Sequence, residues 1–116
     1  MYHDIVQSVM DAVDACRAIQ EYSTGMTLAV YREKRQLRSS IEREFEILGE
    51  ALNRIDDADP SFREYLPEMG NIIGMRNRIA HGYDRIQDEI IWLAVETRVP
   101  NLIIKLTAWL DENANG

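Results

Sequence analysis

The side chains best suited to chemistry lie close together in the second half of the chain. Positions 76 to 83 hold two arginines, an amide, a histidine and a phenol, namely Arg76, Asn77, Arg78, His81 and Tyr83. The planar, permanently charged guanidinium of arginine suits phosphate oxygens. An imidazole titrates near neutral pH and can therefore accept or donate a proton. This combination is typical of acid–base chemistry on a phosphate ester.

The residue types favour transfer of an RNA phosphodiester without a metal ion. The ribose 2′-hydroxyl would attack its own phosphorus while Arg76 stabilises charge on the phosphoryl oxygens, His81 moves the proton and Asn77 orients them. DNA lacks this nucleophile, so the reaction predicts RNA as the substrate. The alternative is a surface arginine with a helix-capping histidine, because an arginine five residues before a histidine is by itself a weak signal.

These residues stand at the end of a helix predicted from about Glu68 to His81. Apolar residues recur at spacings of three and four, namely Ile72, Ile73, Met75, Ile79 and Ala80, and Gly82 can end a helix in the left-handed conformation. Asn77 and His81 share a helical face, whereas Arg76 points about 140° away from His81. A single copy of this helix brings Arg76 and His81 together only if the arginine stem wraps back toward the histidine. We therefore expect two copies to face each other in a homodimer.

The rest of the chain has the spacing of helices. The predicted helices cover residues 3–22, 34–57, about 68–81, 88–96 and a last segment that begins at Pro100. No segment has the alternating pattern of a strand. The sequence therefore predicts an all-α, antiparallel four-helix bundle with an additional short helix, as one domain over residues 1–116.

Charge restricts the partners. The 116 residues include thirteen basic and twenty acidic side chains, a net charge of −7, so the surface as a whole does not attract polyanions. The start of the second long helix is the basic exception, and we interpret Arg35 and Arg38, together with Arg78, as RNA contacts; a merely solvated face is the alternative.

Other functional classes lack their signals. The chain has no glycine-rich phosphate loop, no spacing typical of metal ligands and no sign of a cofactor. Cys16 is the single cysteine and falls on an apolar stripe, so we expect it to be buried and inert. No signal peptide or run of about 18 apolar residues is present, which favours a cytoplasmic protein.

The segment from Arg76 to Tyr83 resembles the R-x4-H-x-Y motif of the HepT-like toxins, small helical ribonucleases of the HEPN superfamily. The likeness extends over nearly the whole chain. Residues 47–51 (Ile-Leu-Gly-Glu-Ala) resemble the family's I-G-E-A element, residues 72–75 resemble its lead-in to the arginine, and Trp92 stands where the family usually has a tryptophan.

The resemblance implies a homodimeric, metal-independent endoribonuclease, the toxin of a type VII toxin–antitoxin pair. Arg76 and His81 would be the catalytic pair, supported by Asn77, with the motifs of both subunits in one cleft. The antitoxin would be a minimal nucleotidyltransferase of the MntA type that adds AMP to Tyr83. The added phosphate charge and bulky base would then block a site built for phosphates. The alternative for Tyr83 is a phenol that only packs against the cleft.

Two alternatives stay open. Related helical dimers look like substrate-binding partners of nucleotidyltransferases, so the chain could be a non-catalytic substrate-binding subunit of a two-component nucleotidyltransferase. The other alternative is a purely structural helical dimer. A short nucleotidyltransferase in the adjacent reading frame would disfavour the structural dimer but not the substrate-binding subunit.

Overall fold

Helices make up nearly all of the described chain. The computed structural model describes residues 2–81 and 88–113, apart from the side chains of residues 2–4, 80 and 81. In chain order the elements are α1 (Tyr2–Ser23), α2 (Leu28–Glu33), α3 (Arg35–Ala58), α4 (Phe62–Tyr65), α5 (Met69–His81), α6 (Asp88–Leu93), a π-helical turn (Ala94–Arg98) and α7 (Val99–Asn113). Neither described range contains a strand, which confirms the all-α prediction.

The core lies where the four long helices meet. Helix α3 packs against α1 and α5, and α7 packs against α1. The apolar positions of α3 recur every three or four residues and are fully buried, namely Ile41, Phe45, Leu48, Leu52 and Ile55. Each such side chain contributes about 1.5–3 kcal/mol relative to an exposed one. This periodicity places one face of α3 in the core and confirms the predicted helical bundle.

The last part of the chain departs from the prediction of a break between two helices. Helix α6, the π turn and α7 follow one another without interruption, and Pro100 lies inside this run. A proline lacks an N–H group and its ring collides with the carbonyl four residues earlier in an α-helix. The π turn displaces the hydrogen-bond ladder just before Pro100, since the Val99 N–H donates to the Ala94 carbonyl five residues back. The predicted break before Pro100 was therefore wrong, whereas α7 begins at Val99, within one residue of the predicted start.

Helix α2 is held between α3 and α6. The hydroxyl of Thr27 accepts from the Val30 N–H at 3.2 Å and caps the start of this helix. Tyr31 is fully buried and its ring centroid lies 5.3 Å from that of Trp92 on α6. Arg32 pairs with Glu89 on the same neighbour. These contacts fix the start of α3 relative to α6.

Cys16 is buried in the core without any exposed surface. Burial raises the pKa of its thiol to about 12, because a thiolate is poorly solvated in an apolar interior. The thiol therefore stays protonated at neutral pH, which confirms the prediction of a buried, inert cysteine. None of the described helices is both long enough and apolar enough to cross a membrane.

Candidate active site

Arg76 lies on the face of α5 that packs against α3. Its stem rests on the backbone of Gly49, one of the buried residues of α3. A Cβ atom built on Gly49 would lie 2.2 Å from the Arg76 Cβ and 2.6 Å from its Cγ. No side chain fits at such distances, so only glycine permits this approach. Gly49 thus makes the space in which the arginine stem lies.

The guanidinium of Arg76 carries no counter-charge in the described part of the chain. Its Nε is buried without a hydrogen-bond partner there, and its Nη1 donates to Asn77 Oδ1 at 3.1 Å. The carboxylate next to Gly49 in sequence is engaged elsewhere, because Glu50 pairs with Arg54 at 3.7 Å. An unneutralised, partly desolvated cation attracts an anion more strongly than one in bulk water.

The contact between Arg76 and Asn77 affects which side of α5 the arginine head group occupies. By helical geometry Arg76 points about 140° away from His81, whereas Asn77 and His81 share a face. The arginine head group reaches the Asn77 side chain and is thereby drawn toward that shared face. His81 is the last residue of α5, but its side chain lies outside the described residues, as does the whole of Tyr83.

The basic residues predicted to contact RNA have different environments. Arg38 donates from Nη1 to the Arg32 carbonyl, so it ties the start of α3 to the end of α2. Arg35 has no side-chain partner in the described ranges, and with Lys34 and the 40% exposed Tyr22 it lines a surface groove of about 640 Å³. The structure therefore separates a structural arginine from a free one, a distinction that the sequence did not predict.

Arg78 lies on another side of α5 from Arg76. Together with Arg98 of the π turn it lines a groove of about 500 Å³ between α5 and α6. Sequence reasoning missed Arg98, because nothing in its neighbourhood marks it as close to the motif. It also gave Gly49 no role beyond its place in a family-like element. The sequence signal for its contact with Arg76 is a glycine on the predicted buried face of a long helix.

The acidic residues around Glu50 form a separate surface. Asp11, Asp14, Glu44 and Glu50 line a groove between α1 and α3, and Arg54 neutralises part of it through pairs with Asp11 and Glu50. Burial raises the pKa of Glu44. Among the side chains that the structure describes, no three residues of the His, Cys, Asp or Glu types are grouped to hold a metal ion.

Comparison with known proteins gives one family and two relatives. The family described as Ribonuclease HepT-like matches residues 12–108. The provisionally named RNase MJ0127 of Methanocaldococcus jannaschii is 26% identical over 97% of this chain and 91% of its own length. RNase MJ1380 of the same organism, also named provisionally, is 25% identical over 85% of this chain and 90% of its own. No solved structure matches the chain.

Proposed function

This chain belongs to the HepT-like ribonuclease family, and on that premise we propose that it is a metal-independent endoribonuclease in which Arg76 and His81 cleave RNA. The observation that carries the proposal is the state of Arg76. Its stem is held against Gly49, its head group is held by Asn77, and no carboxylate neutralises it within the described residues. A positioned guanidinium of this kind suits a phosphoryl group that gains charge in the transition state.

The proposed reaction forms one bond and breaks one. The 2′-oxygen of a ribose attacks the adjacent phosphorus, and His81 takes the proton of that hydroxyl. The bond from phosphorus to the 5′-oxygen of the next nucleotide breaks, and that oxygen receives a proton from the imidazolium of the second copy. The products are a 2′,3′-cyclic phosphate and a 5′-hydroxyl. Arg76 binds the non-bridging oxygens throughout, and Asn77 orients Arg76.

We propose a homodimer as the active form. Positions 76 and 81 are about 140° apart around an ideal helix, and a two-fold axis beside α5 would bring both motifs to one cleft. The acidic balance of −7 makes such a local concentration of cations more necessary for binding RNA. Each RNA phosphate in the cleft would then contact the arginine at position 76 of at least one copy.

The regulation proposed for this family member is AMP transfer to Tyr83 by an MntA-like minimal nucleotidyltransferase, which would act as the antitoxin of a type VII pair. Tyr83 follows His81 by two residues. A phosphate charge attached there would compete with the substrate for the arginines, and the base would obstruct the cleft. Incubation with an MntA-like nucleotidyltransferase and ATP should add adenylate to the wild-type protein and not to Tyr83→Phe, as read by intact-mass measurement.

RNA digestion in a chelator tests the nuclease assignment. The wild type should cleave RNA in the presence of EDTA and leave 2′,3′-cyclic phosphate ends. Arg76→Ala and His81→Ala should each lose on the order of 10²-fold or more of the rate while circular dichroism stays unchanged. Undiminished cleavage by both variants would remove this mechanism. A tight complex with a nucleotidyltransferase, without cleavage under any condition, would instead support the non-catalytic substrate-binding subunit.

A further inference from the structure

A second cationic surface lies on the side of α5 away from Gly49. It is a groove of about 500 Å³, here named the α5–π groove, with one wall from α5 and the other from α6 and the π turn. Its lining includes Gly74 and Arg78 of α5, Leu93 of α6 and Arg98 of the π turn. Arg76 does not line it.

Both arginines of the α5–π groove lack a partner among the residues that the structure describes. Within those ranges neither Arg78 nor Arg98 has an ion pair or side-chain hydrogen bond, and no described carboxylate lines the groove. The two acids nearest to Arg98 in sequence are directed elsewhere: Glu89 pairs with Arg32, and Glu96 lines a different groove. Two guanidinium groups from separate elements, neither paired within residues 2–81 and 88–113, thus line one concave surface of an acidic protein, a pattern that favours a polyanion.

The walls between these charges suit the flat face of a base. Leu93 is 56% exposed and Ile90 is 39% exposed, so two aliphatic side chains of the groove are open to a bound group. On the opposite wall a Cβ atom built on Gly74 would have no heavy atom within 4 Å. The backbone of α5 is therefore uncovered there, and an aromatic ring could lie between it and the aliphatic side chains.

The π turn explains how Arg98 reaches the groove. In an α-helix, residues five apart point about 140° away from each other. In the π turn the Val99 N–H bonds to the carbonyl of the fifth residue back, Ala94, so residues five apart lie closer to the same side than they do in an α-helix. Leu93 and Arg98 are five apart and line the same groove. The turn required before Pro100 thereby brings a cation beside an apolar wall.

We propose that the α5–π groove binds a nucleotide of the RNA flanking the cleaved bond. Arg78 and Arg98 would contact its phosphates, and its base would lie between Leu93 and the backbone at Gly74. The inference rests on the proposed ribonuclease function. Arg76 and Arg78 are two residues apart and so leave α5 on roughly opposite sides, and a bound strand would cross the helix, which is about 10 Å wide.

Titration of a fluorescently labelled single-stranded RNA with full-length protein tests the charges. In a His81→Ala background, which stops the proposed cleavage, Arg98→Gln should weaken binding about five- to tenfold and reduce the slope of log Kd against log salt by about one. The matched control is Arg17→Gln, an exposed arginine of α1 outside the groove, which removes the same charge. It should leave both quantities near those of the parent.

A second pair of variants tests the shape without changing charge. Gly74→Met adds a side chain to the α5 wall of the groove, and the open space at this position lets the helix accept it. It should weaken RNA binding by a similar factor and raise KM for cleavage more than it lowers kcat. Ala108→Met, at an exposed position of α7, adds a comparable apolar side chain elsewhere and should leave RNA binding unchanged.

The outcomes separate this inference from the proposed function. Wild-type cleavage together with unchanged RNA affinity in Arg98→Gln and Gly74→Met would overturn the groove assignment and leave the nuclease standing. Arg98-dependent RNA binding without any cleavage would support the groove and overturn the nuclease. Light scattering measures the mass of the assembly formed by each variant. If Arg98→Gln or Gly74→Met lowered that mass, and RNA affinity returned at protein concentrations that saturate the dimer, the groove would be a protein interface and the inference would be overturned.

Discussion

The stem of Arg76 occupies the place that a side chain on Gly49 would need. The distance from a Cβ at Gly49 to the Arg76 Cβ would be 2.2 Å, far inside van der Waals contact. Helices α3 and α5 are therefore joined at the position of the proposed catalytic arginine, and the packing of the core determines where its guanidinium lies.

Gly49→Ala should damage both packing and catalysis. The added methyl group overlaps the Arg76 stem, so the free energy of unfolding should fall by about 1–3 kcal/mol. The guanidinium would move by a distance of the order of an ångström, which can reduce kcat by on the order of 10²-fold. Steady-state kinetics should show this loss in kcat rather than KM, in protein that remains helical.

The matched variant for stability is Gly74→Ala on α5. No heavy atom lies within 4 Å of its new Cβ, so replacing glycine in a helix should stabilise the fold by up to about 1 kcal/mol. A Gly49→Ala protein with full kcat would show that the contact with Arg76 does not position the guanidinium.

Asn77→Asp should inactivate the enzyme at neutral pH. The carboxylate would accept the hydrogen bond that Arg76 now donates to the amide, and it would neutralise the cation that is proposed to bind the phosphate. Asn77→Ala removes the bond without adding charge and should cost about tenfold in kcat, as expected for one hydrogen bond to a charged group. Equal activities of the two variants would contradict a role for free charge on Arg76.

Arg35 and Arg38 should differ although both begin the same basic helix. Arg35→Gln should weaken RNA binding and its salt dependence, because this side chain is exposed and unpaired in the described ranges. Arg38→Gln should chiefly lower the thermal midpoint, because it removes the donor to the Arg32 carbonyl. Fluorescence titration and thermal melts of the two proteins measure the two effects, and a reversed pattern would contradict these assignments.

Cys16 should make the fold less stable in alkali. Its pKa is about 12 in the folded protein because of burial and about 8.5 in an unfolded chain. Because the pKa of Cys16 is raised in the folded state, the contribution of this thiol to the free energy of unfolding is fully present below about pH 8.5. It is lost as pH rises toward 12, by up to about 1.4 kcal/mol per pH unit.

Denaturant melts at pH 7 and pH 10 measure this loss. Cys16→Ala leaves a small cavity but cannot form a thiolate, so its free energy of unfolding should fall less between the two pH values than that of the wild type. A thiol reagent should label the native protein only after unfolding. Rapid labelling of the native protein would contradict the burial of this thiol.

The periodicity of the sequence determined the helices and their buried faces. In α3, apolar residues at steps of three and four can leave water only by facing one side of a helix, and Ile41 through Ile55 do so. The residue types at 76–83 likewise determined the chemistry under consideration, because a guanidinium and an imidazole have the same properties in any fold. The family-like elements at residues 47–51 and 72–75 were recognisable for the same reason, since they are local.

Only the tertiary structure decided which of these side chains are free to act. Arg38 and Arg35 have equal charge in the sequence, yet one binds the Arg32 carbonyl and the other faces an open groove. Arg98 lines the same groove as Arg78 because the π turn changes the direction in which its side chain leaves the helix. Gly49 receives Arg76 only because α3 and α5 approach closely. Contacts between residues distant in sequence depend on packing and backbone geometry, and neither can be read from local periodicity.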